Sequence, residues 1–280
     1  MVKSITNESV LAFEQHLLRL ERAPGTIAKY LHDVRAFARW LGGSPILPDS
    51  TAGWKAHLLV RGYAPSSVNA MLASLNAFFR FAGWTDCRAH FVRIQRRVFR
   101  DASRELSREE YERLLRAAKS GGDERLALVL ETLCATGIRV SELRFVTLEA
   151  AHAGRAEVSL KGKVRTIVLP GKLCRKLLRY SARRAIRSGE IFVTRSGRSL
   201  SRGQIWAALK GLCAAADVAP TKVFPHNLRH LFATTFYRVS RDIVRLADVL
   251  GHSSIETTRI YLATSGREFA AMLDRLGLVS

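Results

Sequence analysis

Cysteine is scarce in this sequence, and the few cysteines lie far apart. The 280 residues include 4 cysteines and no CxxC pair. This spacing excludes a disulfide framework and a zinc knuckle, and it indicates reduced, buried thiols in a cytoplasmic protein. Long apolar runs are also missing, so we expect no membrane-spanning helix, and residues 1–10 lack the apolar stretch of a signal peptide.

Acidic residues are few in proportion to the basic ones. The chain has 24 Asp+Glu against 45 Lys+Arg, which gives a formal net charge of +21. Such an excess attracts a polyanion over a Debye length. Nucleic acid is therefore the leading candidate partner, with an anionic membrane surface second and general solubility as the third explanation. Residues 1–100 and 101–280 are both basic, which favours a DNA contact surface shared by two domains.

The apolar periodicity predicts a mainly helical protein with a small β-sheet. In residues 1–87, apolar side chains recur at helical spacing in four segments, which predicts a compact helical bundle. Residues 88–105 carry basic residues without a helical stripe. We predict an interdomain linker near a phosphate backbone there, with an exposed basic loop as the alternative. The four helical segments are 8–22, 26–41, 51–60 and 66–82.

A second domain is predicted over residues 106–280, with helices around a β-hairpin. Ser107 and Glu110 have the spacing of a helix capping box. Alternating apolar residues over 156–169 predict a hairpin that turns at residues 161–163. The other predicted elements are helices at about 124–135, 171–187, 203–216, 226–238, 242–250, 254–262 and 267–276, and a short strand at 191–193.

Three stretches carry side chains suited to phosphodiester chemistry. They are ATGIRVSEL at 135–143, PHNLRH at 225–230 and LGHSS at 250–254. Guanidinium groups bind phosphate oxygens bidentately and keep their charge, so Arg139 and Arg229 are candidates to clamp a phosphate. A tyrosine hydroxyl is a weak nucleophile that needs positive charge or a base beside it. His226 and His252 are candidates to supply this to Tyr261, nine residues beyond His252.

In these stretches the sequence resembles the tyrosine recombinase family, which comprises phage integrases, Xer-type resolution enzymes and integrases of mobile elements. TGIRVSEL resembles the family's first arginine motif, HNLRH its HxxRH box, and LGHSSIETTRIY its third box with the nucleophile. The resemblance covers nearly the whole chain. It implies a SAM-like core-binding domain followed by an α+β catalytic domain of the DNA breaking-rejoining type.

The resemblance also implies a role for each matching residue. Arg139 and Arg229 would hold the scissile phosphate, and His252 would donate a hydrogen bond to it. His226 would act on the proton of Tyr261, which attacks to form a 3′-phosphotyrosyl link and a free 5′ hydroxyl. That link conserves the energy of the broken bond, and cationic side chains supply positive charge. No ATP, metal ion or other cofactor is therefore expected.

The family also has a lysine in the turn of a β-hairpin, which protonates the leaving 5′ oxygen. The turn here is shorter than the commonest version. We favour Lys161, the lysine before Gly162, and keep Lys163 as the alternative. Glu142 matches an acidic position that supports the arginines. His230 closes the second box, where it supports the core or the site.

The implied partner is double-stranded DNA with inverted half-sites, bound by a homotetramer whose protomers are monomers in solution. We expect the protein to integrate, excise or resolve DNA in the cytoplasm, at the nucleoid. Asn69 and Asn76 are additional candidates for base contacts. The apolar tail at 262–280 is predicted to dock on a neighbouring protomer, with packing on its own domain as the alternative. The candidate DNA contacts, mostly to phosphate, are Lys29, Arg35, Arg39, Arg80, Arg96, Arg97 and Lys163.

Three other functions fit part of this pattern. A type IB topoisomerase shares the tyrosine chemistry, but the helical N-terminal domain and the spelling of the boxes favour recombination. A DNA-binding regulator would not need the complete set of candidate catalytic residues. A metal hydrolase would use His226 and His230, which have metal-ligand spacing, but Asn227 stands where a metalloprotease needs a glutamate.

Overall fold

The residues described by the computed structural model are 3–94, 102–160, 163–261 and 274–276. The chain divides into two units, Met1–Arg96 and Arg97–Ser280. Within the described ranges, the first unit is built from helices and the second from helices and one two-stranded sheet. The fold class predicted from the sequence, mainly α with a small β-sheet, is confirmed.

The first unit contains all four predicted helices. They are α1 (Asn7–Arg19), α2 (Pro24–Leu41), α3 (Ser50–Val60) and α4 (Pro65–Phe81). Pro24 and Pro65 begin their helices, where the missing N–H leaves no hydrogen bond unmade. Gly42 ends α2 in the left-handed conformation, with φ 60°. Phe13 and Phe78 are buried between helices with their rings edge to face, and their centroids are 5.3 Å apart.

Two asparagine side chains bind the segment that follows α4. The Asn76 amide donates to the Ala89 carbonyl at 3.0 Å and accepts from the Ala89 N–H at 2.8 Å. Asn69 makes the same pair of bonds with Val92, at 2.9 and 2.7 Å. The prediction that Asn76 contacts bases is therefore wrong, because its side chain is buried and bonded to backbone. The first residues of the predicted linker are bound to the bundle.

The second unit is built around the helix Glu124–Thr136 (α6), which is buried along most of its length and packs against the helix Pro225–Ser240 (α11). Ser107 and Glu110 form the predicted capping box at the start of the helix Arg108–Ser120 (α5). Its helices are α5 (Arg108–Ser120), α6 (Glu124–Thr136), α7 (Leu148–Ala153), α8 (Gly171–Arg183), α9 (Arg202–Gly211), α10 (Cys213–Ala216), α11 (Pro225–Ser240), α12 (Ile243–Leu250) and α13 (Ile255–Thr258).

The predicted hairpin is present as β1 (Arg155–Leu160) and β2 (Lys163–Val168). The strands are antiparallel, with Ala156 opposite Ile167 and Val158 opposite Arg165. Ala156, Val158 and Ile167 are buried, so one face of the hairpin packs on the core. The two turn residues between the strands lie outside the described residues.

Three predicted elements differ from the structure, and one helix was not predicted. The helix predicted over 203–216 is two helices, α9 and α10, joined at Leu212. Residues 191–193 form no strand, because Val193 makes only an isolated bridge to Ser199 and has no ladder to extend. The helix predicted over 254–262 is, up to residue 261, the short helix α13 followed by a 3-10 turn, Arg259–Tyr261. Helix α7 is missing from the prediction because six residues give little periodic signal.

Candidate active site

Arg139 lies in a sharp turn at the end of α6. Gly137 ends that helix with φ 62°, and a Cβ at this position would lie 2.2 Å from the Phe232 ring. Only glycine fits both the left-handed backbone and this close approach. Ile138 is buried. Arg139 is the N-cap residue of the following 3-10 turn, Val140–Phe145, and its side chain is about half exposed.

The Glu142 carboxylate is the central acceptor of this turn. Its side chain is buried and accepts the Arg139 backbone N–H at 2.7 Å and the Arg139 guanidinium at 3.1 Å. Arg165, on β2, donates to the same carboxylate at 2.5 Å and to the Val249 carbonyl at 2.6 Å. Glu142 therefore supports Arg139 as the family resemblance implied, and through Arg165 it also ties the hairpin to the end of α12.

Sequence reasoning missed Arg165, although its position carried a signal. Arg165 shares the alternation of Ile167 and Leu169, which are buried, whereas Val164 and Val168 are exposed. An arginine at an inward position of a strand needs a buried partner, because an unpaired buried charge is costly. Glu142 is that partner.

Arg229 projects from the first turns of α11 and is 4% exposed. Its guanidinium donates to the Gly137 carbonyl at 2.5 Å, to the Leu250 carbonyl at 2.8 Å and to His252 Nε2 at 3.0 Å. Burial and then the charge of Arg139 lower the pKa of Arg229, and the neighbouring Tyr261 hydroxyl opposes that shift. The guanidinium thus connects the ends of α6 and α12.

His252 follows Gly251, which ends α12 in the left-handed conformation. Its Nδ1 is 2.8 Å from the Thr258 hydroxyl. Burial, followed by the charge of Arg229, lowers the pKa of His252 to about 4, so the ring is neutral at pH 7. The sequence-based role for His252 is donation to a phosphate, but in this structure its Nε2 is engaged with Arg229.

Tyr261 ends the 3-10 turn that follows α13 and is 2% exposed. Its ring centroid is 5.0 Å from that of His230, at 60°, and 6.1 Å from that of His252, at 11°. Ala233 and Leu246 belong to the same buried cluster. The Tyr261 phenol therefore lies between His230 of the second sequence box and His252 of the third.

A cavity of about 610 Å³ in the second unit gathers the candidate residues. Five of the six predicted catalytic side chains line it: Arg139, His226, Arg229, His252 and Tyr261. The sixth candidate, Lys161, lies outside the described residues. Its alternative, Lys163, begins β2 with its backbone opposite Leu160.

His226 stands at the start of α11, on the cavity wall. Burial lowers the pKa of His226, and the positive charges of Arg229 and Arg139 lower it further. A neutral imidazole is therefore expected at pH 7, able to accept a proton. His230, one turn along, contacts Tyr261 and lies 3.8 Å from a Glu105 carboxylate oxygen. It packs beside the site, as expected.

Four of the candidate DNA contacts in the first unit are exposed. Lys29 is paired with Asp33, whose carboxylate also accepts the Ser74 hydroxyl at 2.6 Å. Arg35 and Arg39 line a groove of about 930 Å³ between α1 and α2. Arg80 is exposed near the end of α4. The candidates Arg96 and Arg97 lie outside the described residues.

The described parts of the chain lack a metal-binding cluster and a membrane-spanning helix. No group of three His, Cys, Asp or Glu side chains arranged to hold a metal ion occurs there. None of the helices in the described parts is long and apolar enough to cross a membrane.

Comparison with known proteins gives the family. The phage integrase family profile matches residues 104–267, and the N-terminal SAM-like domain of phage integrases matches residues 10–86. The tyrosine recombinase XerA of Thermococcus kodakarensis is 32% identical over 283 residues, covering 96% of this chain and 98% of XerA. The tyrosine recombinase XerC of Roseiflexus castenholzii is 31% identical over 279 residues, covering 91% and 88%.

Solved structures share the fold. A lambda integrase dimer bound to a COC′ core site has a TM-score of 0.75 at 18% identity, covering 94% of this chain and 96% of the integrase. A lambda integrase tetramer bound to a Holliday junction has a TM-score of 0.73 at 20% identity, covering 92% and 77%. The fold is that of site-specific tyrosine recombinases. The chain belongs to the phage integrase family, which confirms the resemblance found in the sequence and favours recombination over topoisomerase activity.

Proposed function

We propose that Tyr261 is the nucleophile of this recombinase and that the cavity around it binds the scissile phosphate. The observation that carries the proposal is the convergence of Arg139, His226, Arg229 and His252 with Tyr261 on one cavity. The tyrosine oxygen forms a bond to phosphorus, and the bond from phosphorus to the 5′ oxygen breaks. A 3′-phosphotyrosyl link results, and a 5′ hydroxyl from another strand reverses the step to rejoin DNA.

The two arginines stabilise the charge that develops on the phosphate. Arg139 is about half exposed and held by Glu142, so its remaining N–H groups are available to a ligand. Arg229 is buried, and a charge-assisted hydrogen bond from it is stronger than one formed in water. Fixed donors of this kind are worth most at charge that appears in the transition state.

Proton transfer is assigned to His226 and Lys161. His226 is neutral at pH 7 because its pKa is lowered by burial, so it can take the proton of the Tyr261 hydroxyl. Lys161, or Lys163 in its place, gives a proton to the leaving 5′ oxygen. His252 donates a hydrogen bond to the phosphate once the phosphate is bound.

The proposed substrate is double-stranded DNA with inverted half-sites. Four copies of the chain bind this DNA together, and each copy is a monomer in the absence of DNA. The net charge of +21 supports a polyanionic partner. The solved relatives include a dimer on a core site and a tetramer on a Holliday junction. The exposed side chains of Arg35, Arg39 and Arg80 are proposed phosphate contacts, and residues 262–280 are proposed to dock on a neighbouring copy. The proposed site of action is the nucleoid, in the cytoplasm.

The experiment is a suicide-substrate assay. Duplexes drawn from the DNA that flanks the gene are nicked so that the cleaved strand loses its short 5′-hydroxyl fragment and cannot be rejoined. The wild-type protein should accumulate a covalent complex, and Tyr261→Phe should form none while still binding DNA. Tyr180→Phe is the matched control, because Tyr180 is also buried in the second unit but away from the cavity. A covalent complex formed by Tyr261→Phe would refute the assignment.

A further inference from the structure

The Thr258 hydroxyl contacts the His252 ring at Nδ1, the ring nitrogen that faces away from Arg229. It is the last residue of α13 and is fully buried. Its Oγ1 is 2.8 Å from His252 Nδ1, and His252 Nε2 is 3.0 Å from Arg229 Nη2. Both ring nitrogens are therefore occupied, each by a side chain of different hydrogen-bonding capacity.

The two contacts together define the tautomer of the ring. A guanidinium group has donors and no acceptor, so His252 Nε2 must accept from Arg229. The proton of a neutral ring is then on Nδ1, which donates to the Thr258 hydroxyl oxygen. A doubly protonated ring would direct an N–H at the Arg229 guanidinium, and the lowered pKa of His252 agrees with its exclusion.

This tautomer is the wrong one for the proposed reaction. Donation from His252 to a phosphate oxygen requires the proton on Nε2, the nitrogen on the Arg229 side. If the ring stays neutral, Nδ1 must then become an acceptor. The partner of Nδ1 therefore has to accept in the DNA-free state and donate in the phosphate-bound state. A hydroxyl can do both by rotation about its C–O bond, whereas a carboxylate, a carbonyl or an ammonium group can do only one.

We propose that Thr258 is a positioning residue that lets His252 exchange tautomers when a phosphate enters the site. Without DNA, the Nδ1–H of His252 donates to Thr258, and Nε2 accepts from Arg229. With a phosphate bound, the Arg229 N–H turns to the phosphate, Nε2–H of His252 donates to it, and Thr258 donates to Nδ1. The proposal rests on the function proposed above and adds a residue that does not line the cavity.

The direct test is the ¹⁵N chemical shifts of the His252 ring in DNA-free protein, assigned by the loss of its signals in His252→Gln. Wild type should show a single neutral tautomer with the proton on Nδ1. Thr258→Val keeps the branched shape and removes the hydroxyl, so the Nδ1–H of His252 loses its acceptor while Nε2 still accepts from Arg229. The Nδ1 shift of the His252 ring should therefore move away from its wild-type value. Thr258→Ser should retain the wild-type pattern. A wild-type ring protonated on Nε2 would overturn the proposal without any variant.

The kinetic test is single-turnover cleavage of the nicked duplex at saturating protein. Thr258→Val should slow cleavage by roughly 10-fold or more, the effect of one hydrogen bond lost at a transition state, while DNA affinity changes less than about 3-fold. Thr258→Ser should recover most of the rate. Thr132→Val is the control, because the Thr132 hydroxyl is equally buried but donates to the Leu128 carbonyl in α6.

The two tests separate this proposal from the proposed function. The ring shifts are measured without DNA and do not depend on cleavage. A wild-type protein that never forms a covalent complex would refute the role of Tyr261, while the shifts would still decide the state of His252. Wild-type rates and shifts in Thr258→Val would refute the role of Thr258 and leave Tyr261 as the nucleophile.

Discussion

The buried carboxylate of Glu142 allows a quantitative prediction, because two arginines depend on it. Glu142→Gln keeps the size of the side chain and removes its charge. One Glu142 oxygen accepts from the Arg139 backbone and from Arg165, and the other accepts from the Arg139 guanidinium. The glutamine oxygen can replace the first, but its NH₂ group then faces a donor. Arg139 can turn to solvent, whereas Arg165 stays with only 16% of its side chain exposed and without a counter-charge.

The expected cost is about 3 kcal/mol, at the lower end for a broken buried ion pair. In a unit of this size that corresponds to a Tm lowered by roughly 6–12 °C, measured by scanning calorimetry. Cleavage should also slow, since Arg139 loses its support. Glu131→Gln is the control, because Glu131 bridges two lysines that are about half exposed. Removing the charge of Glu131 should cost about 1 kcal/mol or less. Equal Tm changes for the two variants would refute this reasoning.

Three shorter predictions follow from the site. Gly137→Ala should destabilise the protein in denaturant by at least about 2 kcal/mol, from positive φ and the Phe232 clash together, whereas Gly154→Ala meets open space and should cost about 1 kcal/mol. Arg139→Ala should abolish cleavage and leave the Tm nearly unchanged, as a half-exposed side chain permits. Because the pKa of His226 is lowered, its imidazole stays neutral to a pH below the ordinary histidine pKa of about 6.5. Cleavage should therefore stay flat from pH 8 to about 6.5 and fall only at lower pH.

The sequence was sufficient for the elements with a strong local signal. Apolar stripes placed the helices of both units, and alternation placed the hairpin that carries Arg165. The three boxes identified the candidates that line the cavity, because each box combines a helix end with a polar side chain aimed from it. Local patterns decide such features, since the caps and periodicity act over a few residues.

The sequence was not sufficient where a side chain is defined by a distant partner. Asn76 looks like an exposed polar residue of a helix, yet it binds the backbone of Ala89, 13 residues away. Arg165 and Glu142 are 23 residues apart, and only the folded hairpin brings them together. The engagement of His252 by Arg229 and Thr258 likewise depends on where α11 and α13 meet the end of α12.

The most direct test of the central claim is to identify the amino acid that carries the DNA. The covalent complex trapped on the nicked duplex is digested with nuclease and trypsin, and the modified peptide is sequenced by mass spectrometry. We predict one adduct, on residues 260–267, with the nucleotide joined through its 3′ phosphate to Tyr261. An adduct on any of the other five tyrosines, or a link through a 5′ phosphate, would contradict it.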